Sequence, residues 1–275
     1  MRRGVAVVRQ RQAFFLAVSA RRLVFLASVF ICCFCLGALL GAFELLGGSF
    51  ALLKGLGRPA TGSGPGQPVL ELPPGPLANG VLKDLLIVLD PGHGGADRGV
   101  CHFPDDLIEK EINLDMANRV RAVLEAAGAR VLLTRADDVF LSLDDRARAA
   151  NEAGAHLFLS LHVNRIPGHP ECFGAQTFYF PGSTQGERLA SIIQEELIKV
   201  DPENYRDPLP GSYRVLRLTT MPGALVEIGF MTNARDRELI ATEAYRDRIA
   251  RAIAAGVARY VAEQGLTAGK DQTPS

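Results

Sequence analysis

The feature that most constrains the fold is an alternation of strand-like apolar runs with helix-like repeats between Leu82 and Gln264. Leu85–Leu89 is a continuous apolar run, as a strand buried on both faces requires. Glu111–Ala127 then carries apolar residues at helical spacing, and Gly128 favours the end of a helix. Strands that alternate with helices pair in parallel and are covered by those helices. The sequence therefore predicts an α/β fold, a single domain with a largely parallel central sheet flanked by helices.

The same two patterns predict the remaining elements. Further strands are expected at Arg130–Thr134, His156–Leu161, Gln176–Phe180, Tyr213–Leu216 and Ala224–Ile228. Further helices are expected at Leu143–Glu152, around Leu189 to Val200, and from Tyr245 onward. The strand pattern is weakest at Tyr213–Leu216.

The N-terminal region has the charge pattern of a membrane segment. Before Leu23 every ionisable side chain is an arginine, and residues 23–43 carry no charge. That run matches the roughly 20 residues that a bilayer core requires. Arginine on the near side predicts a basic cytoplasmic N-terminus at residues 1–22 and export of everything that follows the segment. The predicted location is therefore the cell membrane, as a single-pass protein with the part after the segment outside the cytoplasm.

Two interpretations of residues 23–43 remain open. A retained transmembrane anchor is favoured because the run exceeds the roughly 7–15 apolar residues of a signal peptide. Cleavage is the alternative, since Ser49-Phe50-Ala51 has the small residues of a cleavage site. Residues 44–81 are rich in Gly and Pro and predict a linker to the α/β domain, at 82–266. The polar residues 267–275 predict a disordered tail.

Composition excludes some classes of function. The chain has 275 residues, 48% of them hydrophobic, which is enough for one sizeable core. Its formal net charge is zero, so no electrostatic argument favours a nucleic-acid partner. After the apolar segment only Cys101 and Cys172 remain. Export would permit a disulfide between them, but two cysteines do not make a disulfide framework.

Four residues at strand ends or at a helix start are the candidate site. His93 lies in the turn Pro91-Gly92-His93-Gly94-Gly95 after the first strand, and Glu109 stands near the start of the first helix. His162 follows the apolar strand 157–161, and Glu227 is the only charge in the apolar run 222–230. Because α/β sheets place ligands at the carboxyl ends of strands, these side chains are expected to lie near one cleft.

The residue types suggest a metal-dependent hydrolase. Two histidines and one carboxylate can hold Zn²⁺, and a second carboxylate can then transfer protons. Ser160 and Asn164 alternate with His162 along the strand, so they are candidates to orient ligands or substrate. The other histidines of this region have ordinary structural explanations as loop or strand-end residues; they are His102, His156 and His169.

Taken in order, these motifs resemble a known family. The segments are Asp90–Gly95, Glu109-Lys110, Leu133-Thr134-Arg135, Ser160–Asn164 and Pro222–Asn233. They are similar to those of the zinc-dependent N-acetylmuramoyl-L-alanine amidases of the Amidase_3 type, over about residues 85–264. The segment Gly174–Phe180 and the single N-terminal apolar segment resemble the germination-specific branch, which prepares spore-cortex peptidoglycan for muramic-δ-lactam formation.

The resemblance implies particular roles. His93, Glu109 and His162 would be zinc ligands, and Glu227 would be the catalytic carboxylate. Peptidoglycan would be the substrate, the membrane would be contacted through the N-terminal segment, and a protein partner is not specified. The loop Gly99–Pro104 departs from the family pattern, which leaves its shape and the substrate fit open.

Two other functions remain as alternatives at this point. The first is another zinc hydrolase of the cell wall, which would cut peptide bonds or remove acetyl groups. The second is a catalytically silent wall-binding module. The products of the reaction separate the first from an amidase, because only an amidase releases an intact stem peptide that begins with L-alanine. Loss of any of the four site residues would have favoured the second, and all four are present.

Overall fold

A six-stranded sheet forms the centre of the computed structural model, which describes residues 80–267. In spatial order its strands are β4 (Arg130–Leu133), β1 (Leu86–Pro91), β5 (Leu157–Asn164), β8 (Gly223–Phe230), β6 (Gln176–Tyr179) and β7 (Leu209–Pro210). A separate hairpin pairs β2 (Cys101–His102) with β3 (Leu107–Ile108), and a 3₁₀ turn at Phe103–Asp105 connects them.

Six α-helices accompany these strands in the described part of the chain. They are α1 (Glu109–Ala126), α2 (Leu143–Glu152), α3 (Thr184–Val200), α4 (Arg214–Leu218), α5 (Ala234–Ala241) and α6 (Glu243–Gln264). Side-chain caps fix several helix starts: Ser142 accepts from the Asp145 N–H, Ser183 from Gly186, and Thr242 from Tyr245.

The largely parallel sheet predicted from the sequence is confirmed. β1 pairs in parallel with β4 and β5, β5 with β8, and β6 with β7. Only β6 and β8 pair antiparallel within this sheet. The central strands are buried on both faces, which explains why they read as continuous apolar runs.

Helices cover both faces of the sheet. On one face α1, α3 and α6 pack on the strands through a core that includes Met116, Ile193 and Ile253. On the other face a smaller core joins Phe158 of β5 to residues of α2 and α4, such as Ala150 and Val215. The prediction of a single α/β domain flanked by helices is therefore confirmed for the described residues.

The weak strand predicted at Tyr213–Leu216 is wrong. These residues form the start of α4, and Tyr213 is its extended N-cap. Val215 and Leu216 are buried in the smaller core, so they face the sheet without joining it. So short a segment, with Val215 and Leu216 as its apolar pair, does not distinguish a strand from one turn of buried helix, which is why the pattern misled. The neighbouring strand is β7, two residues long and too short for a sequence pattern.

The predicted segments at the ends of the chain lie outside the described residues. This applies to the basic N-terminus 1–22, to the membrane segment 23–43, to nearly all of the linker 44–81, and to the tail beyond 267. Within residues 80–267, no helix has the length and apolar character needed to cross a membrane.

Truncating a core residue of β5 should destabilise the domain. Leu159 is fully buried in the central strand β5. We expect Leu159→Ala to lower the free energy of unfolding by about 2–5 kcal/mol, because it removes buried methyl groups and leaves a cavity. Leu132→Ala on edge strand β4, where the side chain is 39% exposed, should cost less than about 1 kcal/mol. Urea denaturation of the purified full chain measures both, and equal losses would contradict this core assignment.

Candidate metal centre and active-site cleft

The topology brings three chain segments together at one end of the sheet. β1 lies between β4 and β5, and helices α1 and α2 pack on opposite faces, so the chain changes direction at the carboxyl ends of β1 and β5. His93 follows β1, and His162 lies near the end of β5. Glu227 of β8 is the register partner of His162. This is the crevice in which open α/β sheets bind ligands.

His93, Glu109 and His162 form one cluster. Each offers one ligand atom, and the three atoms lie within 4.8 Å of one another. Glu109 Oε1 is 3.1 Å from His93 Nε2 and 3.0 Å from His162 Nδ1. The two imidazole rings meet edge to face, with centroids 5.0 Å apart. Two ring nitrogens thus converge on one carboxylate oxygen.

Glu109 is a buried carboxylate that remains ionised. The backbone N–H of Val100 donates to its Oε2 at 2.8 Å, and the N–H of Val163 donates to its Oε1 at 3.1 Å. Burial alone would raise the pKa of Glu109, but hydrogen bonds from His162 and His93 hold it well below its usual range. The site therefore keeps a fixed negative charge.

A second carboxylate orients His93. His93 Nδ1 is 2.8 Å from Asp97 Oδ2, which turns Nε2 towards Glu109. Burial alone would lower the pKa of His93, but Glu109 and Asp97 raise it to about 9. The pKa of His162 is also raised, because Glu109 and Glu227 outweigh its burial. Protons therefore stabilise this cluster in the metal-free protein, and a cation can replace them.

Two glycines allow the close approach of these groups. A Cβ atom on Gly92 would lie 2.1 Å from His162 Cε1. Gly99 has a φ of +64°, and a Cβ there would lie 2.5 Å from Glu109 Oε2. Any larger side chain would displace one of the three clustered residues, so both positions require glycine.

Two buried arginines fix the turn that carries His93. Arg146 donates to the carbonyls of Pro91 and His93 at 2.8 and 2.7 Å. Arg135 donates to the carbonyls of Pro91 and Gly92, both at 2.9 Å. His93 itself has a φ of +60°, which is unfavourable for a residue with a side chain. The arginines hold the turn in this conformation by binding its carbonyl groups.

Asp90 balances the charge of Arg146. Its carboxylate is buried, and it accepts hydrogen bonds from Arg146 at 2.8 Å, Thr134 at 2.6 Å and Ser160 at 2.8 Å. A buried guanidinium with a buried, fully hydrogen-bonded carboxylate avoids the cost of an isolated charge. The predicted candidate Ser160 thus supports Asp90.

A cleft of about 310 Å³ opens beside the cluster, with Glu227 in its wall. Glu227 is 7% exposed, and its Oε2 has no hydrogen-bond partner among the described residues. His93 and His162 line the same cleft. A buried carboxylate oxygen without a partner is costly, so Glu227 is available to a group that enters the cleft.

The structure thus places His93, Glu109, His162 and Glu227 at one site. Asn164 is not among the residues that line the cleft; its side chain accepts a hydrogen bond from the N–H of Arg165. The other histidines contact ordinary partners: His102 with Asp105, His156 with the Leu86 N–H, and His169 with Glu171. Among the described residues, Cys101 and Cys172 are free thiols.

Sequence reasoning missed Asp97 and Arg146. Asp97 follows His93 by four residues in a Gly-rich turn, where an acidic residue is common and does not indicate a specific role. Arg146 carried a usable signal, because it lies one turn before Ala150 on the apolar face of α2. A charged residue on a buried helix face requires a buried partner.

The loop Gly99–Pro104 has a defined structure despite its unusual sequence. Its Cys101–His102 segment pairs with Leu107–Ile108 in the β2–β3 hairpin. The hairpin leads directly into α1, and the Glu109 N–H donates to the Val100 carbonyl at 2.9 Å. The loop therefore positions Glu109 at the first turn of α1.

The cluster fits a divalent metal ion. Its donors are two imidazole nitrogens and one ionised carboxylate, which is a set that catalytic zinc sites use. Asp97 supplies the carboxylate that commonly orients a metal-binding histidine. The unpaired oxygen of Glu227 lies in the same cleft, where a metal-activated group would need a base.

Comparisons with known proteins agree with this site. The family model described as N-acetylmuramoyl-L-alanine amidase, Amidase_3, matches residues 87–259. The germination-specific N-acetylmuramoyl-L-alanine amidase of Bacillus subtilis is 35% identical over 200 residues, which is 67% of this chain and 83% of that protein.

Solved structures of amidases are also similar to this chain. The CwlD amidase from Clostridioides difficile, in complex with the GerS lipoprotein, matches with a TM-score of 0.63 and 32% identity. That match covers 66% of this chain and 100% of the other. The amidase AmiC2 of Nostoc punctiforme matches with a TM-score of 0.61 and 34% identity over 65% of this chain and 97% of the other.

The α/β fold and the site define a hydrolase that acts on the cell wall. The chain belongs to the Amidase_3 family, and its activity is that of an N-acetylmuramoyl-L-alanine amidase acting on peptidoglycan.

Removing the charge of Asp97 should weaken metal binding. Asp97→Asn keeps the shape of the side chain but no longer holds the His93 ring with a carboxylate. We expect the Kd for Zn²⁺ to rise about 10- to 100-fold, measured by competition with a chromophoric chelator. Asp207→Asn, at an exposed position before β7, is the control and should bind as the wild type does. Unchanged affinity in Asp97→Asn would contradict the orienting role.

Proposed function

We propose that the chain is a zinc-dependent amidase that uses His93, Glu109 and His162 as metal ligands and Glu227 as its catalytic carboxylate. The observation that carries this proposal is the convergence of three ligand atoms within 4.8 Å beside an unpaired, buried carboxylate. Zinc bound there would supply Lewis acidity, which polarises an amide carbonyl and makes water easier to deprotonate near neutral pH.

Glu227 would transfer the proton during hydrolysis. It would accept a proton from the attacking water and return it to the nitrogen of the departing L-alanine. In the metal-free protein, burial raises the pKa of Glu227 to about 7, with a further contribution from Glu109 and an opposing one from His162. A carboxylate with a pKa near the working pH can act as both base and acid.

The bond cut would be the amide between the lactyl group of N-acetylmuramic acid and L-alanine. This reaction releases an intact stem peptide and leaves the glycan uncut. A peptidase would shorten the peptide, and a deacetylase would release acetate. Incubation of the zinc-loaded full chain with purified peptidoglycan, followed by mass spectrometry, distinguishes these products.

Glu227→Gln and His162→Ala should fail in different ways. Glu227→Gln removes the proton acceptor but no ligand, so kcat should fall about 10²- to 10⁴-fold while zinc content stays near that of the wild type. His162→Ala removes a ligand, so zinc content itself should fall. Metal analysis and the release of stem peptide measure the two effects. Full activity in Glu227→Gln, or stoichiometric zinc in His162→Ala, would overturn the respective role.

We further propose that the substrate is spore-cortex peptidoglycan. One similar protein supports this, the 35% identical amidase of Bacillus subtilis that is named germination-specific. Peptidoglycan lies outside the cytoplasmic membrane, so the proposal includes export of the catalytic domain, with residues 23–43 as the anchor.

Deletion of the gene should change the cortex of spores. Muramic-δ-lactam forms on muramic acid whose peptide has been removed, so spores that lack this amidase should contain little or none. Muropeptide analysis of purified spores measures the lactam, and complementation with the Glu227→Gln variant should not restore it. Normal lactam content in the deletion strain would limit the enzyme to the vegetative wall.

A further inference from the structure

A rigid apolar wall borders the active-site cleft. Phe140, Leu141 and Leu143 line the cleft, and Phe140 is 58% exposed. Leu143 and the adjacent Val139 are also exposed. We call the segment 139–143 the Phe140 wall. Three neighbouring exposed apolar side chains next to a catalytic site indicate a contact surface.

The Phe140 wall is fixed relative to His93. Asp138, which precedes it, accepts hydrogen bonds from the Gly95 N–H at 2.7 Å and from Lys110 Nζ at 2.5 Å. The backbone of Phe140 packs so closely on the His93 turn that a Cβ on Gly95 would lie 2.8 Å from Phe140 N. The backbone that carries the exposed phenyl ring is therefore held in place, which limits the backbone entropy lost when a ligand packs on it.

The second wall of the cleft carries one cation, Arg214. Tyr213, Arg214 and Val215 line this side, at the start of α4. We call these residues the Arg214 wall. Arg214 donates to both carboxylate oxygens of Asp144, at 2.5 and 2.7 Å, and its side chain is 46% exposed.

Arg214 is not the only cation near Asp144. The hydrogen bond from Arg214 and the nearby charges of Arg217 and Arg148 together hold the pKa of Asp144 below its usual value. If the guanidinium of Arg214 turns towards a ligand, Asp144 keeps other positive neighbours. Arg214 can therefore bind a carboxylate with its remaining N–H groups.

Charge distinguishes the two walls. Four exposed aspartates flank the Phe140 wall: Asp97, Asp137 and Asp138 on the His93 side, where Lys110 pairs with Asp138, and Asp144 on the other side, where it pairs with Arg214. The Phe140 wall repels carboxylates and offers an aromatic surface to a neutral group. The Arg214 wall attracts carboxylates.

The substrate of an N-acetylmuramoyl-L-alanine amidase also has a neutral side and a negatively charged side, and the bond that is cut lies between them. On one side are N-acetylated sugars, which are neutral and present apolar C–H faces. On the other side is a stem peptide, which carries carboxylates.

We propose that the cleft binds the glycan against the Phe140 wall and the stem peptide against the Arg214 wall, so that Phe140 and Arg214 determine the orientation of the substrate. This inference rests on the amidase activity of the site. It assigns no chemical step to either residue, and both are specificity-determining positions.

Crossing two variants with three substrates tests this orientation. The first substrate is a disaccharide muramoyl pentapeptide. The second is the matching lactoyl pentapeptide without sugars, and the third is the disaccharide substrate with its peptide carboxylates converted to amides. Phe140→Ala and Arg214→Gln are each compared with the wild type on all three, as kcat, KM and, where saturation fails, kcat/KM.

On the first substrate each variant should raise KM about tenfold with little change in kcat, because it removes one aromatic or ionic contact remote from the scissile bond. The Phe140→Ala effect should disappear on the substrate without sugars and persist on the amidated one. The Arg214→Gln effect should persist on the substrate without sugars and disappear on the amidated one. Phe140→Trp should retain wild-type KM.

Matched controls separate this effect from loss of structure. Leu132→Ala removes an exposed apolar side chain on β4 that does not line the cleft, and Arg217→Gln removes a charge from α4 outside the cleft. Both should keep wild-type KM on every substrate. Thermal unfolding should be similar for all variants, since each changed side chain is exposed.

Two results would overturn the orientation. One is an increase in KM in Phe140→Ala that persists on the substrate without sugars, or no increase in KM on any substrate. The other is an increase in KM in Arg214→Gln that is the same whether or not the peptide carboxylates are amidated. Failure of the proposed zinc mechanism would be visible separately, because the wild type would then hydrolyse the first substrate equally well after removal of zinc.

Discussion

The site depends on one buried carboxylate shared by two histidines. Glu109 Oε1 meets nitrogens of His93 and His162 at 3.1 and 3.0 Å, and the backbone N–H groups of Val100 and Val163 also donate to this carboxylate. These partners come from the turn after β1, the hairpin before α1 and the end of β5. An ionised carboxylate is stable in a protein interior only with such compensation. The interaction that prepares the site for a cation therefore also ties these three segments together.

The positions of the ligands depend in turn on groups that never enter the cleft. His93 lies in a left-handed backbone conformation, and Arg135 and Arg146 hold that turn by its carbonyl groups. Placing two guanidinium groups in the interior costs desolvation, and for Arg146 this cost is offset by Asp90, which accepts its hydrogen bond at 2.8 Å. The consequence is a turn whose geometry is fixed before any ligand binds, as precise catalytic sites require.

The sequence predicted the sheet and the four central site residues better than it predicted the residues that hold them in position. Strands β1, β5 and β8 are buried on both faces, so their apolar runs were unambiguous, and their ends located His93, His162 and Glu227. Tyr213–Leu216 was misassigned because a buried helical turn and a short strand share one apolar pattern. Asp97 and the roles of Arg135 and Arg146 depend on contacts between residues far apart in the chain or within an irregular turn. The spacing of apolar residues along the chain does not reveal such contacts. The only local sign of them was Arg146, a charged residue on the buried face of α2.

Two glutamates in one site acquire different roles from their surroundings. Glu109 accepts hydrogen bonds from two imidazoles and two backbone N–H groups, so its pKa lies well below its usual range. Glu227 is also buried but has an oxygen without a partner, and in the metal-free protein burial raises its pKa to about 7. The first environment stabilises a permanent negative charge, which suits a metal ligand. The second leaves the protonated and ionised forms close in energy, which suits a group that accepts and returns a proton. Because β5 and β8 place Glu227 opposite His162 in register, the backbone itself sets the position of the proposed base relative to a proposed metal ligand.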